Sequence, residues 1–330
     1  LLILINDNNN PYFNLASEEY ILNTYREDCF MLWRNRPSII VGKNQNTMAE
    51  INVDYVKAHQ IPVVRRLSGG GAVFHDFGNL NFTFIKTDAG KSFSDFRGFT
   101  EPILEVLQSL GVNAEFSGRN DLTIDGKKFS GNAQYKRHDR TLHHGTLLFT
   151  SEIADLSAAL RPRASKFEGK SVQSVVSRVT NIQEHLKHLD TPLDLDKFQA
   201  MIQDHVIQRF GADSIHPFNE KDIAAINKLV EEKYGTWEWN FGKSPDYSYQ
   251  KEKKFAGGLV EIHLDVRQGV IQKARIFGDF FSRLDVKDIE NALAGQPHDL
   301  SALREVYERF AIGEDYFNNI TVEDLLEISL

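Results

Sequence analysis

The apolar and polar positions of the chain fall into short blocks. The first five residues, LLILI, are apolar and turn polar at Asn6, which predicts a short buried strand. Residues PYFNLASEEYILNTY (11–25) suit a helix with Asn14 as its N-cap. Short β-rich runs follow: FMLWR (30–34), SIIVG (38–42), PVVRR (62–66), GAVFH (71–75) and LNFTFI (80–85). In the last, Leu80, Phe82 and Phe84 alternate with Asn81, Thr83 and Ile85, the pattern of a half-buried strand. Residues 93–110 read as a helix stopped by Gly111; VNAEF leads into a hairpin over 121–130, and TLLF (146–149) is another strand.

The middle of the chain is helical. Leu195, Phe198, Ile202 and Val206 repeat at helical spacing up to Gly211, and Ile223, Ile226, Val230 and Tyr234 do so between a capping Asn219 and Gly235. Beyond an aromatic, Gly/Pro-containing stretch, a hairpin (259–266 and 270–277, turning at Gln268-Gly269) precedes helices near 286–294, 301–310 and 321–328. Strands are mainly antiparallel and helices come in blocks, so the fold class is α+β.

Composition narrows the function classes. The 330 residues suggest two domains, with the boundary near 246–254. The single cysteine excludes a disulfide framework and a thiolate zinc site. With 38 Lys+Arg against 46 Asp+Glu the net charge is -8, the wrong sign for a general nucleic-acid binder. No apolar run approaches the roughly 20 residues of a membrane span or the basic-flanked core of a signal peptide. One unpaired cysteine and no export signal predict a cytoplasmic protein that needs no membrane. The start at Leu1, without methionine, predicts a few residues upstream.

The segment VVRRLSGGGAVFHDFGNLNFTFI (63–85) carries the strongest chemical signal. Glycines admit a ligand close to the backbone, their N–H groups can face a phosphate, and Arg66 can add a bidentate contact. Neither a Walker loop nor a dinucleotide fingerprint is present, and by itself Gly-Gly-Gly also reads as a plain turn. The Arg pair, Ser68, His75 and Asn79 favour the ligand reading.

In FSGRNDLTIDGKKFSGNAQ (116–134) the Asp125-Gly126 turn sets a hairpin register pairing Thr123 with Lys128 and Asp121 with Ser130. One face then presents a carboxylate and an ammonium together, while Leu122, Ile124 and Phe129 pack inward. A solvated surface lysine is the plainer reading of Lys128. His143 and His144 are adjacent on a strand, so they point to opposite faces and with His75 make no zinc site. Cys29 reads as a small buried residue.

Together these residues resemble the bacterial lipoate–protein ligases. The resemblance rests on RRLSGGGAVFHDFGN (65–79), NDLTIDGKKFSGNAQ (120–134) and HHGTLLF (143–149). FNLASEE (13–19), WRN (33–35), GKNQN (42–46), SVVSRVTN (174–181) and the ARIFGDFF (274–281) of an accessory domain add to it, so it spans nearly the whole chain. It implies a catalytic domain over 1–246, of the fold shared by biotin–protein ligases and class II aminoacyl-tRNA synthetases, and a small α+β accessory domain over 247–330. It implies that lipoate and ATP form lipoyl-adenylate, and that a lysine of an acceptor lipoyl domain then takes the lipoyl group. The acceptors implied are E2 subunits of 2-oxoacid dehydrogenases and the glycine cleavage H protein.

Carried over by motif, Arg66, Ser68, Gly69, Gly70, Gly71, Ala72, Val73, Phe74, His75, Asn79, Asp121 and Lys128 would bind ATP or the adenylate. Lys128 would be the catalytic residue and, with His144, would contact lipoate. Mg²⁺ is implied by the ATP chemistry, with Asp121 as its candidate ligand. Two other readings compete: an octanoyl- or lipoyl-transferase on the same fold, and a non-catalytic lipoate-binding protein. The transferase needs a cysteine nucleophile, and Cys29 lies outside both motifs. Octanoate stays open as a substrate, since an apolar slot separates it only weakly from lipoate. Arg161, Arg163, Lys166 and Lys170 are candidates for docking the acceptor.

Overall fold

A computed structural model describes all residues except 46, 88–92, 161–178, 212–213, 242–248, 268–269 and 299. The four basic residues considered for docking and the Gln268-Gly269 turn therefore lie outside the described residues.

The first eleven strands are β1 (Leu2–Ile5), β2 (Cys29–Trp33), β3 (Ser38–Val41), β4 (Val63–Arg65), β5 (Val73–His75), β6 (Asn79–Thr87), β7 (Ala114–Ser117), β8 (Asp121–Ile124), β9 (Lys127–Arg137), β10 (Arg140–Leu148) and β11 (Ser214–Pro217). They build an 8-stranded sheet in the order β11-β1-β2-β6-β10-β9-β8-β7 and a 3-stranded sheet in the order β4-β3-β5. Most pairings are antiparallel, as expected. β1 is instead parallel to both β2 and β11, and β3 to β4.

Helices Phe96–Ser109 and Leu195–Phe210 cover one face of the large sheet, burying Leu80, Phe82, Phe84, Phe129, Phe198 and Ile202 in one core. Helix Pro11–Thr24 packs on the other face with Glu220–Leu229. With both faces covered, β6 is not half-buried. Asn79, Asn81 and Thr83 are 0–1% exposed, because they face the first helix and the small sheet rather than water.

The first helix begins at Pro11, as the pattern over 11–25 predicts, but its cap is Asn10 and not Asn14. Pro11 occupies its first position, where no N–H is needed, and the Asn10 side chain caps Tyr12 N–H. Asn14 lies inside the helix, fully buried, its amide donating to Asn8 O, Arg34 O and Asn35 Oδ1. Two further terminus assignments hold. Asn219 forms a capping box with Asp222, and Gly211 ends its helix in the left-handed conformation at φ 60.

Strands β12 (Tyr249–Phe255), β13 (Gly258–Arg267) and β14 (Val270–Gly278) form a separate antiparallel sheet. Helices Lys287–Leu293, Leu300–Glu308 and Val322–Ser329 close its core, which includes Ile262, Leu264, Leu303, Tyr307 and Leu325. This unit meets the N-terminal region through Phe277–Phe281. Gly278 N–H bonds Asn44 O, and Phe281 packs on Phe96 with ring centroids 5.3 Å apart. The Arg119 guanidinium sits 4.4 Å from the Phe281 ring centroid. No described helix is long and apolar enough to cross a membrane.

Candidate active site

A cavity of about 150 Å³ opens between the two N-terminal sheets. Leu15, Trp33, Ile40 and Val73 form an apolar end, while Arg66, Asn120, Lys128 and Thr146 make other walls polar. A cavity with apolar and cationic walls suits an acyl chain with a carboxylate.

The two arginines divide their labour. Arg65 turns into the protein and gives its N–H groups to the carbonyls of Gly42, Lys43, Gln45, Trp239 and Asn240. Arg66 reaches the cavity wall and holds the glycine loop, donating to Gly69 O at 2.6 Å and Gly71 O at 2.9 Å. Burial pulls the Arg66 guanidinium down to about 10, with Glu18 and Asp279 opposing, so it stays charged at neutral pH.

Each glycine of the triplet answers a different demand. A side chain at Gly69 would strike Phe280 O, and Gly70 has φ +90, which favours glycine. A Cβ at Gly71 would meet nothing within 4 Å, although that residue lines the cavity. Nothing in the protein's own packing calls for glycine there. A ligand approaching the backbone would.

Lys128 reaches its place through an irregular hairpin. The Asp125-Gly126 turn pairs Thr123 with Lys128 as expected, but the register then slips, so Leu122 faces Ser130 and Asp121 faces Gly131. The bulge at Phe129 adds a residue to one strand, and Phe129 packs in the core as expected. Lys128 Nζ still lies 2.8 Å from Asp121 Oδ1, and Thr180 N–H bonds the Lys128 carbonyl at 2.9 Å. The ammonium lies beside Gly131, where a Cβ would come within 3.0 Å of it.

Two histidines line the walls. His75 Nδ1 receives the Asn35 amide at 3.0 Å, while Asn35 Oδ1 is taken by Asn14. The proton therefore sits on Nε2, which has no protein partner among the described residues and is available to a ligand oxygen. Burial, then the charges of Arg66 and His144, push His75 down to about 3, so it is neutral. His144 joins a buried chain, with Nε2 2.6 Å from Ser68 Oγ and Nδ1 2.9 Å from Glu18. His143 points to the other face and stacks on Phe99, as adjacent strand positions require.

Of the residues singled out from sequence, Arg66, Gly70, Gly71, Ala72, Val73, His75, Lys128 and His144 come together on the cavity wall. Ser68 lies behind it, Gly69 under Phe280, and Asp121 beside Lys128. Phe74 packs in the core with Ile39 and Val63, and Asn79 is buried, donating to Asn81. Sequence reasoning passed over Leu15, Trp33, Ile40, Asn120 and Asn132. The last two exchange amide-to-carbonyl bonds across the hairpin base, a contact no local pattern announces. Among the described residues no three His, Cys, Asp or Glu side chains gather as a metal site.

Comparison with known proteins bears on this geometry. The lipoyl protein ligase A/B catalytic domain matches residues 10–207, and the bacterial lipoate protein ligase C-terminus matches 244–328. Lipoate–protein ligase 1 of Staphylococcus aureus is 46% identical over 330 residues, covering 98% of either chain. The bipartite lipoate protein ligase of Thermoplasma acidophilum, described with its E2 lipoyl domain, is 29% identical. It superposes with a TM-score of 0.66 over 75% of this chain and 98% of its own. A lipoate–protein ligase A solved with ATP bound gives a TM-score of 0.62 at 27% identity, over 73% and 98%. With both halves matched and a relative this similar over nearly its full length, the chain belongs to the lipoate–protein ligase family.

Proposed function

We infer that this protein joins lipoate to ATP, releasing pyrophosphate, and then passes the lipoyl group from lipoyl-adenylate to a lysine amine of a lipoyl domain. The observation that carries the reading is Lys128. It lines the same cavity as the apolar Leu15, Trp33 and Ile40, the open backbone of Gly71 and the charged Arg66.

A carboxylate is a poor acyl donor because its leaving group would be an oxide. Adenylation supplies a better leaving group but brings several negative charges together. Lys128 neutralises the carboxylate as it approaches the α-phosphate, then stabilises AMP as it departs. Arg66, the His75 Nε2–H and the loop N–H groups face the phosphoryl oxygens, where charge develops. The acyl chain fills the slot past Ala133 toward Trp33 and Leu15, each buried CH₂ contributing about 0.8 kcal/mol. Asp121 offers one carboxylate beside these groups, a donor set that fits a Mg²⁺ ion carried mainly by phosphates and water. That ion would supply further neutralisation of phosphate charge.

The division into a catalytic domain, 1–246, and an accessory domain, 247–330, is part of this reading; it is supported by the separate core of the C-terminal strands and helices. So are the acceptors, E2 subunits of 2-oxoacid dehydrogenases and the glycine cleavage H protein. The test is incubation with ATP, Mg²⁺ and lipoate against several apo lipoyl domains, read by mass. A lipoyl mass increment on the acceptor that requires ATP supports the reading, and transfer without ATP defeats it.

A further inference from the structure

The inner face of the first helix carries an unusual residue. Glu18 stands at helical spacing from Leu15 and Leu22, both buried, and is itself 3% exposed. It is not on the cavity wall, yet two hydrogen-bond chains from that wall end on its carboxylate. In one, Trp33 Nε1–H donates to Thr83 Oγ1 at 2.9 Å, and Thr83 donates to Glu18 Oε1 at 2.6 Å. In the other, Arg66 Nε–H donates to Ser68 Oγ at 3.0 Å, and Ser68 lies 2.6 Å from His144 Nε2. His144 Nδ1 then lies 2.9 and 3.0 Å from the two Glu18 oxygens.

The directions of these bonds follow from the groups. A carboxylate only accepts, so His144 must carry its proton on Nδ1 and Thr83 must use its own hydrogen on Glu18. With one proton on the ring, His144 Nε2 accepts the Ser68 hydrogen, and a Ser68 lone pair remains for Arg66. One acceptor thereby orients His144 and Trp33, both of which line the cavity, whereas Arg66 is held independently by the carbonyls of Ile40, Gly69 and Gly71. Trp33 and His144 stand toward the apolar end, one pleat or more from the Lys128 head: His144 and Thr146 share a face of β10, and Thr146 bonds Gly131 N–H beside Lys128.

We propose that Glu18 is a positioning residue that, through His144 and Thr83, sets the shape and polarity of the acyl end of the cavity and so governs lipoate affinity. The proposal rests on the ligase reading for the identity of the ligand, but the hydrogen-bond roles do not. A Gln at this position adds two donors. It can turn its amide toward His144, move the ring proton to Nε2 and reverse the Ser68 bond. Ser68 would then lose its donor role toward His144, and the seat for the acyl chain would loosen.

The experiment compares the intact protein with Glu18→Gln and Thr83→Val. Lipoate binding is measured by calorimetry without ATP, ATP and lipoate KM by pyrophosphate exchange, and the His144 tautomer by ¹⁵N imidazole shifts, assigned by difference from His144→Gln. Glu18→Gln should shift the His144 tautomer and weaken lipoate at least about tenfold, with the ATP KM within threefold. Thr83→Val frees Trp33 and removes one donor from Glu18 while the Glu18–His144 contacts stay, so it should weaken lipoate about threefold with the tautomer unchanged. It also carries the test if Glu18→Gln does not fold. Normal lipoate affinity in a folded Glu18→Gln, or in Thr83→Val where that variant stands alone, overturns the proposal. So does an unmoved tautomer in folded Glu18→Gln, or an ATP KM that rises in step with lipoate's. Lipoate binding without any pyrophosphate exchange in the unaltered protein would defeat the ligase reading instead.

Discussion

Lys128 Nζ and Asp121 Oδ1 lie 2.8 Å apart across a hairpin whose register slips between them. Their side chains are 41% and 37% exposed, so the pair adds little to stability. Its value is to aim the ammonium into the cavity. Lys128→Ala should leave the fold intact and cut lipoate-dependent pyrophosphate exchange by about 100-fold or more, the scale of losing one charge-stabilising donor. Asp121→Asn should shift Tm by no more than about 2 °C and slow exchange about tenfold. Near-normal exchange in Lys128→Ala would remove the lysine from the chemistry.

Gly131 leaves the lane in which Lys128 lies. A Cβ there would stand 3.0 Å from Nζ and 3.1 Å from Cε, the mobile end of a long side chain. The chain can move aside, so Gly131→Ala should keep its Tm within about 3 °C while exchange falls about tenfold. Gly145→Ala is the contrast, because its Cβ would overlap Asn132 Oδ1 and the Phe82 ring, neither free to leave the core. It should unfold at clearly lower denaturant, and equal stability of the two variants would refute the distinction.

Arg65 and Arg66 are neighbours with separable duties. Arg65 satisfies five backbone carbonyls from 42–45 and 239–240. Gly42 O keeps the Gln45 N–H and Asn240 O keeps the Thr47 hydroxyl, but Arg65→Ala takes the arginine donor from Lys43 O, Gln45 O and Trp239 O at about 1 kcal/mol or more each, so chemical denaturation should show a loss of at least about 3 kcal/mol. Arg66→Ala should raise the ATP KM instead. A stable, active Arg65→Ala protein would show that the carbonyls find other partners.

The contrast between the arginines marks how far local sequence reading reaches. Periodicity located the C-terminal helices and the hairpin, because each buries an apolar stripe against its own neighbours. Turn chemistry fixed the start of the 121–130 register but not the bulge at Phe129, which is set by core packing. The pattern of β6 suggested a wet face, since Asn81 and Thr83 look like solvent residues. They are dry because Asn81 donates to Trp33 O, and Glu18 and Trp33, 65 and 50 residues from Thr83, bond to Thr83. The glycine and Lys128 segments were visible as chemistry. The apolar end of the cavity was not, since Leu15, Trp33 and Ile40 read as ordinary core residues.

His75 gives a pH signature. Burial depresses it to about 3, against 6.5 for the ordinary side chain, and His143 is depressed by burial as well. Between those values the unfolded chain binds protons that the folded protein refuses, so stability falls as pH falls through 6.5 toward 3. Each such group steepens the slope by up to about 1.4 kcal/mol per pH unit below 6.5. Urea unfolding at pH 7, 6 and 5 should show this decline, and His75→Gln should flatten it. A stability that rises on acidification would contradict the burial of a neutral His75.

Cys29 decides between a ligase and a thiol-based transferase. Its side chain is 2% exposed, with Sγ 3.3 Å from Glu27 O, and it lies outside the cavity wall. Burial pushes the thiol up to about 12, so almost no thiolate exists at neutral pH, and the thiolate is the nucleophile. Cys29→Ser should therefore lipoylate an acceptor domain at a rate within about twofold of the unaltered protein, at a stability cost of about 1–2 kcal/mol for burying a hydroxyl. The same protein treated with iodoacetamide should gain no mass at this position while folded. A folded Cys29→Ser variant that forms lipoyl-adenylate but cannot pass it on would place a covalent thioester back in the mechanism.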